Sequence, residues 1–583
     1  MKILLIYPYC LEDRLHAEDV SVVPMGVYYV AALLRENHYD VEILNWHDMN
    51  KAPHRIRETL AEKKPDVIGL SIVHANRWGG IDIARIAKQV DPGVKIVFGG
   101  VGATFLWEHL LTHFKEIDFA VIGEGEYSFL ELVKCIEREE RGTLGRIKGI
   151  AFRKSRGTAV KTAPADVVKD LDALPVPAKY FTYQHLSSTR GCPGKCAFCG
   201  SPRIWGPKVR FHSPENFVDQ LELLYKKGIT FFWFSDDTFT MKKSRVIKIC
   251  KEILRRNLKI SWQAISHVHY VGEEILYWMR KAGCVQISYG VESGSERIRK
   301  GVLNKDIRTD QIKRAFDLTT GYGILARAYF IYGAPGESWA TIQETIDLIH
   351  EIRPLGIIFY ILDIFPGTAL YDDYMKKCRL TDDIWLKQIE DIMYFETDPR
   401  LTQELILAFG EKLRAEYYEN LPGFVENIEL MDNEDLFETH SDFLSRLGMT
   451  FSHGDYAGID AIQDKGKIAE RLFAKALEYH PDHRAYLGLG ILKQKSGRYQ
   501  ESMATLSKGV QLFPDSVSLN ICLGISHMNL GEYEKALARF LKCEHSKDAL
   551  PYISNCYREM GDFEKERVFQ EKLEAHRAKP FPP

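Results

Sequence analysis

Residues 189–202 read TRGCPGKCAFCGSP. Three of the chain's eleven cysteines, Cys192, Cys196 and Cys199, crowd into this stretch, and the other eight are scattered singly. That distribution is no disulfide framework. It fits a reducing cytoplasm and one metal site. The spacing is C-x3-C-x2-C. Three thiolates on one tight loop can hold three irons of a cubane cluster and leave one iron open. Gly191, Gly194 and Gly200 let the backbone wrap closely around such a group. A zinc knuckle would need a fourth Cys or His at short spacing, and only His212 is near.

Working outward, the cysteines follow a short apolar segment, HLSSTR (185–190), and precede a helical pattern. ITFFWFS (229–235), ISWQAIS (260–266), CVQISYG (284–290), ILARAYFIYG (324–333) and IIFYILDIF (357–365) repeat the alternation. Six βα units in series predict a partial (β/α)6 barrel over 181–420, with chemistry at the strand C-termini. Upstream, ILLIY (3–7), VEIL (41–44), VIGLSI (67–72), KIVFGG (95–100) and FAVIG (119–123) are continuously apolar and alternate with amphipathic stretches. Continuous apolarity predicts a parallel sheet covered on both faces, here a doubly wound, Rossmann-like domain over 1–140. MKILLIYPYC reads as its first strand, not as a signal peptide. Residues 141–180 read as a connecting segment ending in the extended LPVPAKY. Residues 421–460 (ENIELMDNEDLFETH within them) read as a linker or helical extension. Across 461–577 Gly497 and Gly531, Tyr499 and Tyr533, and Ala504 and Ala538 are each 34 residues apart, the tetratricopeptide period, with a degenerate third unit at Gly561.

The chain has 583 residues, 45% apolar and 27% charged, enough for three or four cored domains. A net charge of −3 and a pI near 6.7 disfavour a general nucleic-acid binder. No apolar run reaches the ~18 residues of a membrane span.

CPGKCAFC, with Phe198 before the last cysteine, resembles the cluster motif of the radical S-adenosylmethionine (SAM) superfamily. The resemblance spans about 184–420. It implies a [4Fe–4S] cluster on Cys192, Cys196 and Cys199, whose open iron binds the amino and carboxylate groups of SAM. One electron then yields methionine and a 5′-deoxyadenosyl radical. It also implies roles for later strand ends. Ser235, Asp236 and Asp237 in FSDDTF match the element near the SAM amino group, although such acids also cap helices. Glu292 and Ser293 in YGVESGS match the ribose-binding acid and its neighbour; a carboxylate accepts two hydrogen bonds from a diol. Gly333 and Pro335 in IYGAPGES match the turn passing the adenine. Arg327 and Lys305 are candidate partners of the SAM carboxylate, or structural cations.

The first domain resembles the cobalamin-binding module that precedes many radical SAM domains, through VPMGVYYVAALLRE (23–36), PDVIGLSIV (65–73), FGGVGATF (98–105) and VIGEGEYSFLEL (121–132). The residues it points to lie in three loops on one sheet edge: Ser71; Gly99, Gly100, Gly102 and Thr104; and Gly123, Glu124, Gly125 and Glu126. Ordinary tight turns in an apo domain are the other reading. The Asp-x-His-x-x-Gly pattern that supplies a lower cobalt ligand is absent, and His16 and His47 do not sit in it. The resemblance implies cobalamin without a protein histidine on cobalt.

The combined resemblance implies cobalamin-dependent methyl transfer to an unactivated carbon. The alternatives are non-methylating cyclisation or rearrangement, as in anaerobic magnesium-protoporphyrin ester cyclases, and a scaffold built on the repeats. Trp233, Trp262, Tyr289, Tyr329 and Tyr360 either line a pocket or belong to the core. A small-molecule or peptide substrate is expected, with a flavodoxin- or ferredoxin-like electron donor. The repeats are expected to dock a protein partner or to cap the barrel. tRNA methylthiolation is disfavoured by the charge and by the lack of a second cysteine triad.

Overall fold

The computed structural model describes residues 1–12, 21–154, 157–393 and 399–577. The chain divides into two compact units, Met1–Phe316 with Ala326–Arg414, and Asp317–Leu325 with Ala415–Pro583.

The first unit opens with β1 (Lys2–Tyr7), α1 (Met25–Glu36), β2 (Asp40–Asn45), α2 (Pro53–Lys63), β3 (Val67–Ser71), α3 (Arg77–Val90), β4 (Lys95–Gly99), α4 (Gly100–His113), β5 (Phe119–Val121) and α5 (Glu126–Glu137). The sheet order is β2-β1-β3-β4-β5, all parallel. Alternate residues of one strand serve opposite cores, which is why the strands read as unbroken apolar runs. Leu4, Ile6, Ile68, Leu70 and Phe98 pack under α3 and α4. Ile3, Leu5, Val67, Val97 and Val121 pack under α1 and α5. The sequence read 141–180 as connecting chain. Instead, β6 (Ile150–Arg153) and β7 (Ala159–Lys161) extend the sheet antiparallel to β5. They are too short and too polar to stand out from a loop.

The second sheet is a series of parallel strands in chain order: β8 (His185–Leu186), β11 (Phe231–Phe234), β12 (Ser261–Ser266), β13 (Cys284–Glu292), β14 (Leu325–Tyr332) and β15 (Gly356–Ile361). The helices between them are α6 (Ser201–Trp205), α7 (Pro214–Lys226), α8 (Lys243–Arg255), α9 (Glu273–Lys281), α10 (Thr309–Gly321) and α11 (Trp339–Ile352); α12 (Ala369–Cys378) follows. Among the described residues β8 and β15 do not pair, so the barrel is partial. HLSSTR is not one strand. Its second half, β9 (Thr189–Arg190), leaves the sheet and pairs antiparallel with β10 (Arg210–Phe211). The cause is Asp236, 48 residues away. Its Oδ1 accepts from Ser188 N (2.9 Å) and Oγ (3.0 Å) and from Thr189 Oγ1 (2.5 Å), which draws the chain off the sheet edge.

Ile364, Tyr371, Trp385 and Ile392 join the core beneath α3 and α4, so the two modules of this unit share one apolar interior. α13 (Gln403–Glu426) begins here, with Phe409 edge-on to Trp339 at 4.8 Å.

The second unit is helical: α14 (Phe437–Ser452), α15 (Lys465–Tyr479), α16 (His483–Lys495), α17 (Tyr499–Leu512), α18 (Val517–Asn529), α19 (Tyr533–Phe540), α20 (Leu550–Glu559) and α21 (Phe563–Arg577). Within 421–460, read as a linker or helical extension, Phe437–Ser452 is a helix. Its Phe443, Leu444, Leu447 and Phe451 recur at helical spacing and are buried. The repeat shows in the packing too. Gly490 and Gly524 lie 34 residues apart, and a Cβ on either would strike Leu506 or Phe540, also 34 apart.

Candidate functional site

The antiparallel pairing of Arg190 with Arg210 closes the cysteine loop at its base. Gly191 there has φ +106°, and a Cβ would stand 2.7 Å from the Lys208 carbonyl, so the position demands glycine. The rest of the loop is held from across the barrel. Ala197 N donates to Leu303 O (2.9 Å), Leu370 N donates to Ala197 O (3.0 Å), and Asn304 Nδ2 donates to Lys195 O (2.7 Å). Phe198 packs against Ile298, Leu303, Ala334 and Leu362, so it braces the loop.

All three cysteines are free and half-buried. Burial pushes their thiols up, Cys199 to about 11 with Cys196 and Asp237 adding to it. Only a bound metal would keep them as thiolates at neutral pH. The donor set fits a cubane. A Cβ on Gly194 would lie 3.3 Å from Cys192 Sγ and 3.8 Å from Cys196 Sγ, in space a cluster needs. It does not fit the zinc knuckle. His212 Nδ1 meets Asp172 Oδ1 at 3.0 Å and its Nε2 meets the Tyr29 hydroxyl at 3.0 Å, leaving no nitrogen for a metal.

Around the cysteines stand the other strand ends. Asp237 accepts from Ser201 Oγ (2.6 Å), immediately after the cysteine loop. Asp236 is buried, and burial lifts its carboxyl to about 6 against the bonds from Thr189 and Ser188; it shapes the backbone rather than facing outward. Ser235 N donates to Leu186 O (2.7 Å), and its hydroxyl meets His185 Nδ1 at 3.2 Å. Glu292 has φ +67°, an unfavourable backbone for a non-glycine residue, and its Oε1 accepts from Lys305 Nζ at 3.0 Å. Gly290 makes room for that pair, since a Cβ would lie 2.3 Å from Glu292 Oε1 and 2.9 Å from Lys305 Nζ. Burial opposes the Lys305 charge, but Glu292, Cys196 and Cys192 outweigh it and raise its pKa.

Ser293 is buried, and its hydroxyl accepts from Ser295 N (3.2 Å). Gly333 has φ +85°, and the Gly333–Pro335 turn is closed by Glu337 Oε2, which accepts from the amides of Gly333 (2.5 Å) and Ala334 (3.1 Å). Arg327 lies with Tyr329 and Ile331 on the less buried side of β14. Its Nε is buried and has no hydrogen-bond partner among the described residues. Of the five strand aromatics, Trp262 and Tyr289 are core, while Trp233, Tyr329 and Tyr360 are half-buried.

Sequence reading missed His267, at the end of β12. Burial and the nearby Lys305 lower its pKa to about 3, so it stays neutral. Its signal was a histidine directly after an apolar strand. Glu337 was missed as well, although it stands four residues after Gly333.

The first domain carries a cleft at the C-terminal ends of β1, β3, β4 and β5. It encloses about 970 Å³ of empty space, part of it open to solvent. This is the switch point of a 2-1-3-4-5 sheet, where such folds bind ligands. Ser71, Gly99, Gly100, Thr104, Gly123, Glu124, Gly125 and Glu126 all line it. Gly102 does not; a Cβ there would press on the Val73 carbonyl at 2.8 Å, so it is a packing glycine. The cleft also reaches Leu5, Gly69 and Phe129, where a Cβ on Gly69 would stand 2.6 Å from Leu5 and 3.3 Å from Phe129. Gly69, a lone glycine inside a strand, was the readable sign of it. Gly99 and Gly123 open onto free space, where side chains would fill the cleft. The arrangement fits a cobalamin. His47 is exposed at another place, and His16 lies outside the described residues.

Glu124 and Glu126 do not offer their carboxylates to the cleft. Arg190, at the base of the cysteine loop, reaches Glu124 Oε2 (3.2 Å) and Glu126 Oε1 (2.5 Å), and Arg210 Nη2 reaches Glu124 Oε1 (2.5 Å). All four are buried. Burial works against the Arg190 charge, yet Glu126 and Glu124 raise its pKa. Ile204 and Trp205 of α6, just past Cys199, form one wall of the cleft. The cysteine loop and the cleft are therefore built on shared residues.

Comparison with known proteins agrees with this geometry. Residues 186–349 match the Radical SAM superfamily, residues 19–133 match the B12 binding domain, and residues 483–516 match a tetratricopeptide repeat. An uncharacterized methyltransferase of Pyrococcus horikoshii is 29% identical over 462 residues, covering 76% of this chain and 97% of that one. The anaerobic magnesium-protoporphyrin IX monomethyl ester cyclase of Rubrivivax gelatinosus is 27% identical over 403 residues, covering 66% of this chain and 71% of that one. The radical SAM methyltransferase TsrM of Kitasatospora setae, solved with cobalamin and a [4Fe–4S] cluster, shares the fold. Its TM-score is 0.56 at 18% identity, over 82% of this chain and 99% of that one. The matched domains imply a [4Fe–4S] cluster, SAM and cobalamin as the cofactors. A three-cysteine loop and a B12-type cleft sharing one wall thus lie in the segments that match: the chain combines a radical SAM domain and a B12-binding domain with a tetratricopeptide repeat toward its C-terminal side.

Proposed function

We propose that the enzyme transfers a methyl group from cobalamin to an unactivated carbon of a small-molecule or peptide substrate. The observation that carries the reading is the shared wall: Ile204 and Trp205 follow Cys199 by a few residues and line the cobalamin cleft. When bound, the cluster supplies the electron that splits SAM, and cobalamin carries the methyl group.

The chain's own residues orient and shield. Cys192, Cys196 and Cys199 would hold the cluster. Asp237, Glu292 and Lys305 stand around it as the polar groups able to bind SAM, the first with the amino group, the second with the ribose hydroxyls and the third with the carboxylate. The Gly333–Pro335 turn, fixed by Glu337, passes the adenine. Ser71, Gly99, Gly100, Thr104, Gly123 and Gly125 leave room for the corrin and its nucleotide tail. Arg327, Tyr329 and Tyr360 face the less covered side of the barrel and would receive the substrate. A flavodoxin- or ferredoxin-like donor supplies electrons, and the repeats recruit a protein or peptide. All eleven cysteines are free, which suits action in the reducing cytoplasm.

A second reading, cyclisation or rearrangement without methyl transfer, is favoured by the cyclase relatives. The two separate in one experiment. Holoenzyme is incubated anaerobically with methyl-labelled SAM, a reductant and a small-molecule and peptide extract as the source of the methyl acceptor. Methyl transfer yields both 5′-deoxyadenosine and S-adenosylhomocysteine, the latter only when cobalamin is present. The second reading yields 5′-deoxyadenosine without S-adenosylhomocysteine.

A further inference from the structure

One cluster of ligand-type side chains lies outside both cofactor sites. His109 and His113 are one helical turn apart on α4, so both rings share a face. Asp383, in the turn Asp382–Leu386, faces them, and His113 Nε2 is 3.1 Å from Asp383 Oδ1. One ligand atom from each of the three lies within 4.8 Å of the others.

His109 is the unusual member. It is 4% exposed, yet neither ring nitrogen has a hydrogen-bond partner among the described residues. Such a group costs about 1–3 kcal/mol unless something satisfies it. An imidazole nitrogen is a common ligand for a divalent metal. His113 and Asp383 are partly exposed, at 33% and 63%, which opens a path from solvent. Arg77 is the opposing charge nearby. Its guanidinium already donates to the carbonyls of His74 (3.0 Å) and Ile389 (2.8 Å) and lies over the Trp385 ring at 4.6 Å.

The geometry points to a divalent transition-metal site, suited to zinc, on His109, His113 and Asp383. Two imidazoles and one carboxylate are a borderline-soft donor set, and water would complete a tetrahedron. The ion would pin the 382–386 turn of the barrel module to the helix that starts at the cobalamin cleft. The proposal is independent of the methyl-transfer reading.

The test uses the full chain with its cluster iron-loaded, so that the three loop cysteines cannot take zinc. The protein is stripped with chelator before the cluster is rebuilt with iron and sulfide, then titrated with zinc chloride, desalted and assayed for metal by mass spectrometry. We expect one zinc per chain in the wild type and a higher thermal midpoint on binding. His113→Ala and Asp383→Asn, both outside the core, should weaken binding at least tenfold and remove the thermal shift, with iron content unchanged. His109→Ala should abolish binding. No zinc in the wild type, meaning a histidine satisfied by water only, overturns the proposal. So does equal zinc in the wild type and His113→Ala.

Discussion

Cys196 sits between a glycine whose missing side chain leaves room and an alanine whose amide and carbonyl are both held from across the barrel. Its thiol therefore needs little rearrangement to meet a cluster, and removing it should cost iron without unfolding the loop. Cys196→Ala is expected to lose the reconstituted cluster, read as the broad absorbance near about 400 nm, while far-ultraviolet circular dichroism stays unchanged. Glu292 is a second single-residue test. Glu292→Gln keeps the size but not the charge facing Lys305, and should weaken SAM binding about tenfold (~1.4 kcal/mol) by calorimetry. His74 supplies a pH signature. Its Nε2 lies 2.8 Å from Asp363 and 3.4 Å from Asp391. Burial opposes its charge, but the two carboxylates raise its pKa from 6.5 to about 9. A raised folded pKa stabilises fully below the unfolded value and is lost as pH climbs through the folded one. The thermal midpoint should therefore fall between pH 6.5 and about 9 by a contribution of ~3 kcal/mol at most, and His74→Gln should flatten that slope.

At the scale of elements, much was legible because burial on two faces leaves a plain mark. All five N-terminal strands stand where continuous apolar runs predicted them, and five of the six barrel strands stand where the strand–helix alternation did. What stayed hidden depends on partners remote in sequence. Nothing within HLSSTR shows that Asp236 will split it. Nothing within GEGE shows that its carboxylates answer to Arg190 and Arg210 rather than to the cleft. The helix Phe437–Ser452 was obscured by the acidic run that precedes it, Glu426 to Asp435. Close packing between elements is testable at Gly367. Its φ is +90°, and a Cβ would stand 2.3 Å from the Phe105 ring of α4. Gly367→Ala should cost ~2–4 kcal/mol through backbone strain plus overpacking, seen as a lower denaturation midpoint.

Across the whole molecule, the buried Arg190–Glu124–Glu126–Arg210 group joins the base of the cysteine loop to the cobalamin cleft. Breaking one member leaves uncompensated charge in the interior, at about 3–5 kcal/mol. Arg190→Gln should therefore reduce iron and cobalamin retention together, although it touches neither group; loss of one alone would show that the two sites are built separately. Among the described residues no helix is long and apolar enough to cross a membrane. The central claim remains the open corner of a three-cysteine cluster, and product analysis tests it most directly. Anaerobically reconstituted protein is given SAM and a strong reductant, and the mixture is analysed by chromatography. The account predicts about four irons per chain and steady release of 5′-deoxyadenosine, absent in Cys196→Ala. Protein that loads zinc instead of iron, or loads iron and releases no 5′-deoxyadenosine, would contradict it.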